Sequence, residues 1–348
     1  MDQLIRIVTG FALAIAASVI LCRMVMSAGI LDAPTEARKT QPSPVPTAGG
    51  IAVALSFALA LVVDDELMGG VLDMSLLILG AGALVALMIG VVDDIIGLRP
   101  LLKLAGLLAV AAAVAAFGAR PELMAPWPGL SAPMPIWLGF AGSALWLLVV
   151  MNAVNFMDGA NGLAMGMAAL CATGCCIIGA LIGRWDIAIA AGALAGGLCG
   201  FLVWNLSGQL FAGDAGALGV GALLAGLSLE IVRSRPDLLF VPAILLLPFL
   251  SDVLLTLLWR MRSAKRLLEP HRDHTYQIAL KAGLRHWQVS AVHAVWALNA
   301  VILAVLAALL GGYAPPLLFL ALLAVSSWLH LKVRRAGVAQ GLVGRDIP

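Results

Sequence analysis

The amino-acid sequence predicts an all-α polytopic membrane protein with about ten or eleven transmembrane helices. Hydrophobic residues occupy 62% of the 348 positions, whereas a soluble domain has about 45–50%. Charged residues make up only 11%, which is too few to cover the surface of a soluble protein. The apolar residues also gather in long continuous runs. Together these observations exclude a soluble globular protein, a disordered chain, a coiled coil and a nucleic-acid-binding protein.

Eleven apolar segments are predicted to be membrane-spanning helices. Helices are expected because a backbone in lipid must satisfy its own hydrogen bonds, and the runs are too long for the alternating pattern of a transmembrane barrel. Several segments are short, which predicts helix tilt or local thinning of the bilayer. In chain order the helices are 4–26, 48–63, 75–92, 101–117, 136–151, 162–182, 187–204, 217–232, 238–260, 288–310 and 316–331.

The first and the ninth segments allow further predictions. No small-residue cleavage site follows the run 4–26, so it is expected to be a retained helix and not a removed signal peptide. Pro248 should kink the helix 238–260, and Asp252 beyond the kink must be paired or belong to a site. The chain 1–348 is expected to form a single domain that ends in a tail, 332–348, on the cytoplasmic side.

The distribution of lysine and arginine predicts the orientation. Of the 21 basic residues, five lie on one side of the predicted membrane and sixteen on the other. Because basic loops remain in the cytoplasm, the N-terminus is expected outside and the C-terminus inside. The five on the outer side are Arg6, Arg120, Arg184, Arg233 and Arg235.

The outer loops carry fewer unusual polar residues than the inner loops, so they look plain by comparison. The loop 118–135 is rich in proline and tryptophan, as at a membrane interface. Asp64, Asp65 and Glu66 are expected to be ordinary solvated acids. Nearly all other unusual polar residues fall in the inner loops, so any chemistry is expected at the cytoplasmic face.

The first inner motif is GVVDDIIGLRPLLK at 90–103. Asp93 and Asp94 follow an apolar span directly, and two carboxylates there are costly unless a cation neutralises them. They are either a solvated helix end or a site for a hard cation such as Mg²⁺. Lys103 begins the next helix and could reach a phosphate.

The second inner motif is NAVNFMDGANGLA at 152–164. Asn152, Asn155 and Asp158 are spaced three apart, which places them near one helical face or on its frayed end. Gly159 and Gly162 allow a tight turn and a close approach of backbone to ligand. A helix cap needs one polar residue, so this motif favours a ligand site.

Two further inner motifs complete the pattern. Asp214 lies in a glycine-rich loop that leads into a helix, where it is either an N-cap or a metal ligand beside an anion site. His271, Arg272 and His274 lie in the basic loop 260–287 and suit an anionic substrate. A zinc site is disfavoured there because the loop lacks further ligands. Lys39, in the proline-rich segment 31–50, is a surface anchor or a phosphate contact.

These motifs together resemble the polyprenyl-phosphate N-acetylhexosamine-1-phosphate transferases. The resemblance runs from about residue 31 to 285 and rests on five motifs in order, all on the inner side. They are Pro46–Gly50, the pair Asp93–Asp94, the run Asn152–Gly159, the loop Phe211–Asp214 and the histidine loop. Members of this family transfer a sugar-1-phosphate from a UDP-sugar to a polyprenyl phosphate, release UMP and use Mg²⁺.

The resemblance implies roles for individual residues. Asp214 and Asp158 would hold or flank Mg²⁺, which Mn²⁺ could replace. Asp93 and Asp94 would be the base for the lipid phosphate and its neighbour. His271 and His274 would bind the diphosphate. The predicted substrate-binding residues are Lys39, Lys103, Asn152, Asn155, Asn161 and Arg272.

The sequence also departs from the family pattern. Asn161 stands where many members have a second aspartate, and Ala217 replaces a common serine or threonine. The segment HRDHTYQ, residues 271–277, differs from the triple-histidine loop of the peptidoglycan enzymes. It looks more like the branch that initiates O-antigen synthesis, so a simple UDP-N-acetylhexosamine and undecaprenyl phosphate are the expected substrates, in a bacterial inner membrane.

Other readings remain open from the sequence. A transporter or flippase for an anionic solute would use the same charged residues, but it predicts polar residues on both faces. Phospho-MurNAc-pentapeptide transfer in peptidoglycan synthesis is the alternative within the family. A CDP-alcohol phosphotransferase would need one compact aspartate motif, whereas the aspartates here are spread over three loops. The sequence also leaves open a homodimer, and either a single displacement or a covalent aspartyl intermediate.

Overall fold

The computed structural model confirms the all-α polytopic class. It describes residues 2–27, 31–32, 45–69, 73–118, 120–266, 269 and 271–343. The helices are α1 (Asp2–Ser27), α2 (Gly49–Met68), α3 (Met74–Ile96), α4 (Pro100–Phe117), α5 (Ile136–Met157), α6 (Leu163–Leu181), α7 (Trp185–Asn205), α8 (Gly213–Ser234), α9 (Val241–Leu245), α10 (Leu247–Arg262), α11 (Thr275–Lys281), α12 (His286–Leu310) and α13 (Ala314–Ala339).

Every predicted span corresponds to a helix or a pair of helices. Within the described ranges, nine helices are long and apolar enough to cross a membrane, and a tenth span results if α9 and α10 count as one. Helix α2 is not among the nine, since three acidic residues stand near its C-terminal end. Helix α13 continues through the first part of the segment 332–348 that the sequence assigned to a tail.

The ninth predicted span is broken as the proline indicated. The segments Pro236–Leu245 and Leu247–Arg262 meet at an angle of 72°. Pro248 stands in the first turn of α10, where its missing N–H costs nothing but where it cannot continue the preceding helix. The break directs α10 towards the region of α11 and α13, and Asp252 with it.

The chain also contains two short hairpins that the sequence did not predict. Strand β1 (Leu31–Asp32) pairs with β2 (Val45–Pro46), and β3 (Leu123–Trp127) pairs with β4 (Leu130–Pro133), both antiparallel. The second hairpin occupies the loop that its prolines and tryptophan suggested was merely interfacial. Gly129 adopts a left-handed conformation, with φ of 79°, in the turn between β3 and β4.

Helix α8 is the centre of the bundle. All of its apolar segment is buried, against α3, α5, α2 and α6. Small residues permit this packing: a Cβ on Gly50 would lie 2.1 Å from the Cα of Gly216. Because α8 is fixed on all sides, its first turn, which contains Asp214, is held at a defined place.

The two ends of the bundle both carry charge. The aspartate end is defined by Asp93, Asp94 and Asp214, and the opposite end by Arg184 and Glu230. Arg184 lies 2.6 Å from Asp186, 3.5 Å from Asp73 and 3.7 Å from Glu230, which has no exposed surface. Arg233 donates to Glu230 at 3.0 Å.

The prediction of plain outer loops is therefore wrong in two places. Asp64, expected to be solvated, is 8% exposed and accepts two hydrogen bonds from Arg6, at 2.9 and 2.6 Å. The Arg184–Glu230 cluster joins three helices. Arg6 and Asp64 are far apart in the sequence, and so are Arg184 and Glu230. No local motif therefore indicated either pair. Each of these charged side chains is paired with neighbouring side chains of opposite charge, which suits a structural role.

We expect Arg184→Gln to lower the melting temperature of the detergent-solubilised protein clearly. The substitution leaves the buried Glu230 with Arg233 alone, and removing one partner of a buried ionic group is costly. The matched control is Arg235→Gln, which removes an ion pair with Asp237 whose side chains are 46% and 41% exposed. Such a surface pair contributes only about 0–1 kcal/mol. Equal melting temperatures for the two variants would contradict the assignment.

Candidate active site

At the aspartate end, three helices bring two carboxylates onto one lysine. Asp93 lies in the last turn of α3, Lys103 lies in the first turn of α4, and Asp214 lies in the first turn of α8. The Lys103 ammonium donates to Asp93 Oδ2 at 2.7 Å and also contacts Asp214 Oδ2. All three side chains are largely buried. Two aspartates that are far apart in the sequence are thus brought together on Lys103.

Asp94 has a different partner from its neighbour. Its two carboxylate oxygens accept the backbone N–H groups of Asp214, at 3.0 Å, and of Ala215, at 3.2 Å. These are first-turn donors of α8 that lack partners within the helix. The sequence suggested that they were available for a substrate anion, and the structure corrects this, because the Asp94 carboxylate already binds them.

Gly213 makes this contact possible. Its φ of 71° is a conformation that residues with a Cβ rarely adopt. A Cβ there would lie 2.6 Å from Asp94 Oδ2 and 2.6 Å from the carbonyl oxygen of Thr47. The segment around Thr47 is held in turn by Phe211, whose N–H donates to the Pro46 carbonyl at 2.8 Å. The motifs 46–50 and 211–214 therefore form one structural unit.

The end of α5 completes the cluster. Asn155 donates from Nδ2 to Asp214 Oδ1 at 2.9 Å, and its Oδ1 lies 3.4 Å from the Lys103 ammonium. Asp158 directly follows the helix. Burial, together with the negative charges of Asp214 and Asp94, raises the pKa of Asp158 to about 7. Four carboxyl groups thus share one region.

The donor set fits a hard divalent cation. Mg²⁺ prefers oxygen ligands, and proteins usually hold it through one or two carboxylates together with substrate phosphates and water. Among the residues described, no three His, Cys, Asp or Glu side chains already form a metal-binding group. The four carboxyls nevertheless outnumber Lys103, and burial, together with the negative charges of Asp214 and Asp94, raises the pKa of Asp158. The resemblance stated from the sequence assigns Asp214 and Asp158 to such a cation.

The histidine loop lies against the same end of α5. The Phe156 ring stacks on His274 with centroids 5.8 Å apart, and His274 stacks on His271 at 5.0 Å. The Tyr276 hydroxyl donates to the Phe156 carbonyl at 3.1 Å. Because Phe156 is two residues from Asp158, these contacts bring the histidine loop beside Asp158.

Asp252 anchors the loop to α10. It is 5% exposed and accepts the backbone N–H of Thr275 at 2.9 Å and the Thr275 hydroxyl at 2.7 Å. It also lies 3.6 Å from the Nδ1 of His274. The sequence left two alternatives for this carboxylate, and the structure shows that it is paired.

Two ionisable groups of the loop, His271 and Asp273, both have lowered pKa values, for different reasons. Burial, the proximity of His274 and the positive charge of Arg260 lower the pKa of His271 to about 4. His271 is therefore neutral near pH 7 and offers a hydrogen bond rather than a positive charge. Although burial opposes it, the charges of Lys265 and Arg260 hold the pKa of Asp273 below its usual range.

Several predicted site residues do not join the cluster by direct contact. Asn152 donates to the Leu148 carbonyl of its own helix at 2.8 Å. Asn161 is held through its backbone: its N–H donates to His286 at 3.3 Å, and its carbonyl accepts the Ser290 hydroxyl at 2.7 Å.

Two other predicted residues have separate outcomes. Arg272 lies in the histidine loop itself. Its positive charge is one of the smaller influences on the pKa of the Tyr276 hydroxyl, which burial raises. Lys39 lies outside the described residues.

Comparison with known proteins is consistent with this geometry. A sequence model of Glycosyl transferase family 4 matches residues 76–232. The chain is 31% identical over 296 residues to a phospho-N-acetylmuramoyl-pentapeptide-transferase of Desulforudis audaxviator, covering 76% of this chain and 86% of that protein. It is 29% identical over 292 residues to a decaprenyl-phosphate N-acetylglucosaminephosphotransferase of Mycobacterium leprae, covering 74% of this chain and 72% of that protein.

A third relative comes from Bacillus subtilis. The chain is 24% identical over 294 residues to its probable undecaprenyl-phosphate N-acetylglucosaminyl 1-phosphate transferase, covering 82% of this chain and 80% of that protein. The family match includes the whole carboxylate cluster and Lys103. It ends before Asp252, the histidine loop and α13.

Proposed function

The chain belongs to the polyprenyl-phosphate N-acetylhexosamine-1-phosphate transferases, and from this premise we propose that it transfers an N-acetylhexosamine-1-phosphate, of the N-acetylglucosamine type, from a UDP-sugar to undecaprenyl phosphate. UMP is the other product. The reaction would be the first membrane step in synthesis of a cell-envelope glycan such as O-antigen. The observation that carries the proposal is the contact of Asp93 and Asp214 with Lys103, with Asp94 and Asp158 grouped near Asp214.

We further propose that the aspartate end faces the cytoplasm of a bacterial inner membrane. The spans predicted from the sequence assign sixteen of the 21 basic residues to this side, which supports the orientation by the positive-inside rule. The N-terminus is then outside and the C-terminus inside. This orientation gives the site access both to a soluble nucleotide sugar and to a lipid phosphate at the bilayer surface.

The proposed reaction exchanges one diphosphate linkage for another. An oxygen of the lipid phosphate forms a bond to the phosphorus next to the sugar, and the bond from that phosphorus to the bridging oxygen breaks. UMP leaves with the bridging oxygen. Because a diphosphate linkage is lost and one is gained, the reaction is expected to be nearly thermoneutral and reversible.

The main difficulty in this reaction is the approach of two anions. Mg²⁺, when bound by Asp214 and Asp158, supplies charge that offsets the repulsion and polarises the phosphate oxygens. Lys103 is placed to contribute a second positive charge, and Asn155 fixes Asp214 through its amide. Asp93 would serve as base towards the lipid phosphate, with Asp94 as the neighbour that connects α3 to the metal-binding end of α8.

The histidine loop is proposed to bind the donor diphosphate. Neutral His271 and buried His274 can donate hydrogen bonds, while Arg272 supplies charge. The sequence HRDH, 271–274, replaces three consecutive histidines, which supports a simple UDP-N-acetylhexosamine over a muramoyl pentapeptide donor. The names of the relatives include both kinds of transferase, so the donor must be determined by assay.

We expect purified protein in detergent to release UMP from UDP-N-acetylglucosamine only when both undecaprenyl phosphate and Mg²⁺ are present. Addition of EDTA should stop the release, and Mg²⁺ or Mn²⁺ should restore it, because the site has too few positive charges of its own for two phosphate substrates. UMP is measured by a coupled assay, and the lipid product by mass spectrometry.

The controls separate the alternatives. A panel with UDP-N-acetylgalactosamine and UDP-MurNAc-pentapeptide identifies the donor, and turnover of the pentapeptide alone would move the protein to peptidoglycan synthesis. Full activity in EDTA would refute the metal assignment. Movement of labelled solute across proteoliposomes without any UMP would instead support a transporter.

A further inference from the structure

The last helix carries two buried polar residues, one at the end of the predicted span 316–331 and one in the segment 332–348 that was predicted to be a tail. His330 is 6% exposed and Arg334 is 2% exposed, whereas the adjacent Arg335 is exposed. The spacing of four places His330 and Arg334 on one face of α13, the face that meets α10 and α11. A buried guanidinium is costly unless its surroundings compensate it, so its partners indicate its role.

The contacts of Arg334 converge on the histidine loop and its support. Nη2 donates to the backbone carbonyl of Asp273 at 2.8 Å and to the Thr256 hydroxyl at 3.2 Å. The guanidinium carbon lies 4.0 Å from the centre of the Trp259 ring, which is a favourable cation–π distance. Arg334 therefore joins α13 to α10 and to the loop at the same time.

A second cation holds the adjoining residue of the loop. The Lys281 ammonium donates to the Arg272 carbonyl at 2.8 Å and lies 3.4 Å from the Leu342 carbonyl, beyond α13. Two consecutive loop carbonyls are thus bound by cations that also contact, or belong to, the C-terminal segment. The Asp273 side chain is in turn paired with Arg260.

These contacts matter because the loop has no regular secondary structure of its own. Residues 271–273 lie in neither helix nor strand, so side-chain contacts must define their position. The Nδ1 atom of His271 is buried without a hydrogen-bond partner, whereas the Nδ1 of His274 faces Asp252 at 3.6 Å. An atom such as the Nδ1 of His271 is expected where a substrate supplies the missing partner.

We propose that Arg334 is a positioning residue, which holds the loop so that His271, Arg272 and His274 meet the diphosphate of the nucleotide donor. This inference rests on the proposed function. It assigns to α13, which lies outside the family match, a part in donor binding. The acceptor lipid phosphate, bound near Asp93, does not depend on this tie.

The test compares Arg334→Gln and Arg334→Lys with the control Arg335→Gln, all in the full-length protein. Arg334→Gln should raise the KM for the UDP-sugar about 10- to 100-fold, the range for losing hydrogen bonds from a charged group. The KM for undecaprenyl phosphate should not change. Arg334→Lys should recover part of the loss, because an ammonium keeps the charge but cannot form the same fork. Arg335→Gln should match the wild type.

The remaining outcomes are also decisive. Unchanged donor KM in a folded Arg334→Gln protein, or a fall in kcat with both KM values unchanged, overturns the positioning role. If Arg334→Gln fails to fold, Arg334→Lys and Lys281→Gln carry the test, and normal donor KM values in both overturn it. A wild-type protein that neither turns over nor binds a UDP-sugar in titration calorimetry overturns the proposed function and this inference with it.

Discussion

Asp214→Asn is expected to reduce UMP release by at least about 10²- to 10³-fold, the loss seen when one preorganised electrostatic group is removed from a reaction centre. The substitution preserves the shape of the side chain but removes the charge that Lys103 and Asn155 surround. We assign that charge to the metal that neutralises the phosphates. Binding of Mg²⁺, measured by calorimetry, should weaken together with the rate.

The matched control for this variant is Asp237→Asn. Asp237 lies just beyond the other end of α8, in an ion pair with Arg235, so the same chemical change is made far from the site. It should leave the rate and the metal affinity unchanged. If Asp214→Asn instead retained wild-type turnover at saturating Mg²⁺, the carboxylate cluster would not be the reaction centre.

Much of this site could be predicted from the sequence because membranes make polar residues conspicuous. A carboxylate beside an apolar span, such as Asp93, is costly and needs a specific reason. The same holds for Asp214 and for the amide of Asn155. Since helices in a bilayer run from one face to the other, the order of the spans places these residues at one end without knowledge of any contact. The fold class follows from the same constraint.

The partners of these residues could not be predicted. Asp94 binds backbone N–H groups that lie 120 residues away in sequence, and a backbone donor leaves no signature in the amino-acid sequence. The closest local signal is Gly213 in the glycine-rich loop, and a glycine alone does not indicate space for a carboxylate. The expected anion site at the start of α8 was therefore assigned to the substrate instead of to Asp94.

The burial of particular charged residues near span ends could not be predicted for a related reason. Arg334 and Glu230 occur among other charges that the positive-inside rule or ordinary solvation explains well. Burial distinguishes them from their neighbours, and burial depends on which helices pack together. The one available signal is the i, i+4 spacing of His330 and Arg334, which indicates a polar face without identifying what covers it.

Asp94→Asn is expected to lower UMP release by about 10²- to 10⁴-fold, the range for the loss of an acid–base or charged group, while lowering stability only slightly. Asparagine keeps one carbonyl oxygen that can accept from α8, so at most one of the two hydrogen bonds is lost, about 0.5–1.5 kcal/mol. Asp94→Ala loses both and leaves two first-turn N–H donors of α8 without their side-chain partner. It should therefore reduce the melting temperature markedly as well as the rate.

The comparison of the two Asp94 variants separates charge from capping. If Asp94 only capped α8, activity would follow stability, and Asp94→Asn would remain close to the wild type. If its charge also acts on the phosphates, the asparagine variant is folded and nearly inactive. Asp73→Asn is the matched control, since Asp73 caps α3 at the opposite end through Ser75, and it should change the melting temperature without changing the rate. A folded and fully active Asp94→Asn protein would restrict Asp94 to the structural connection between α3 and α8.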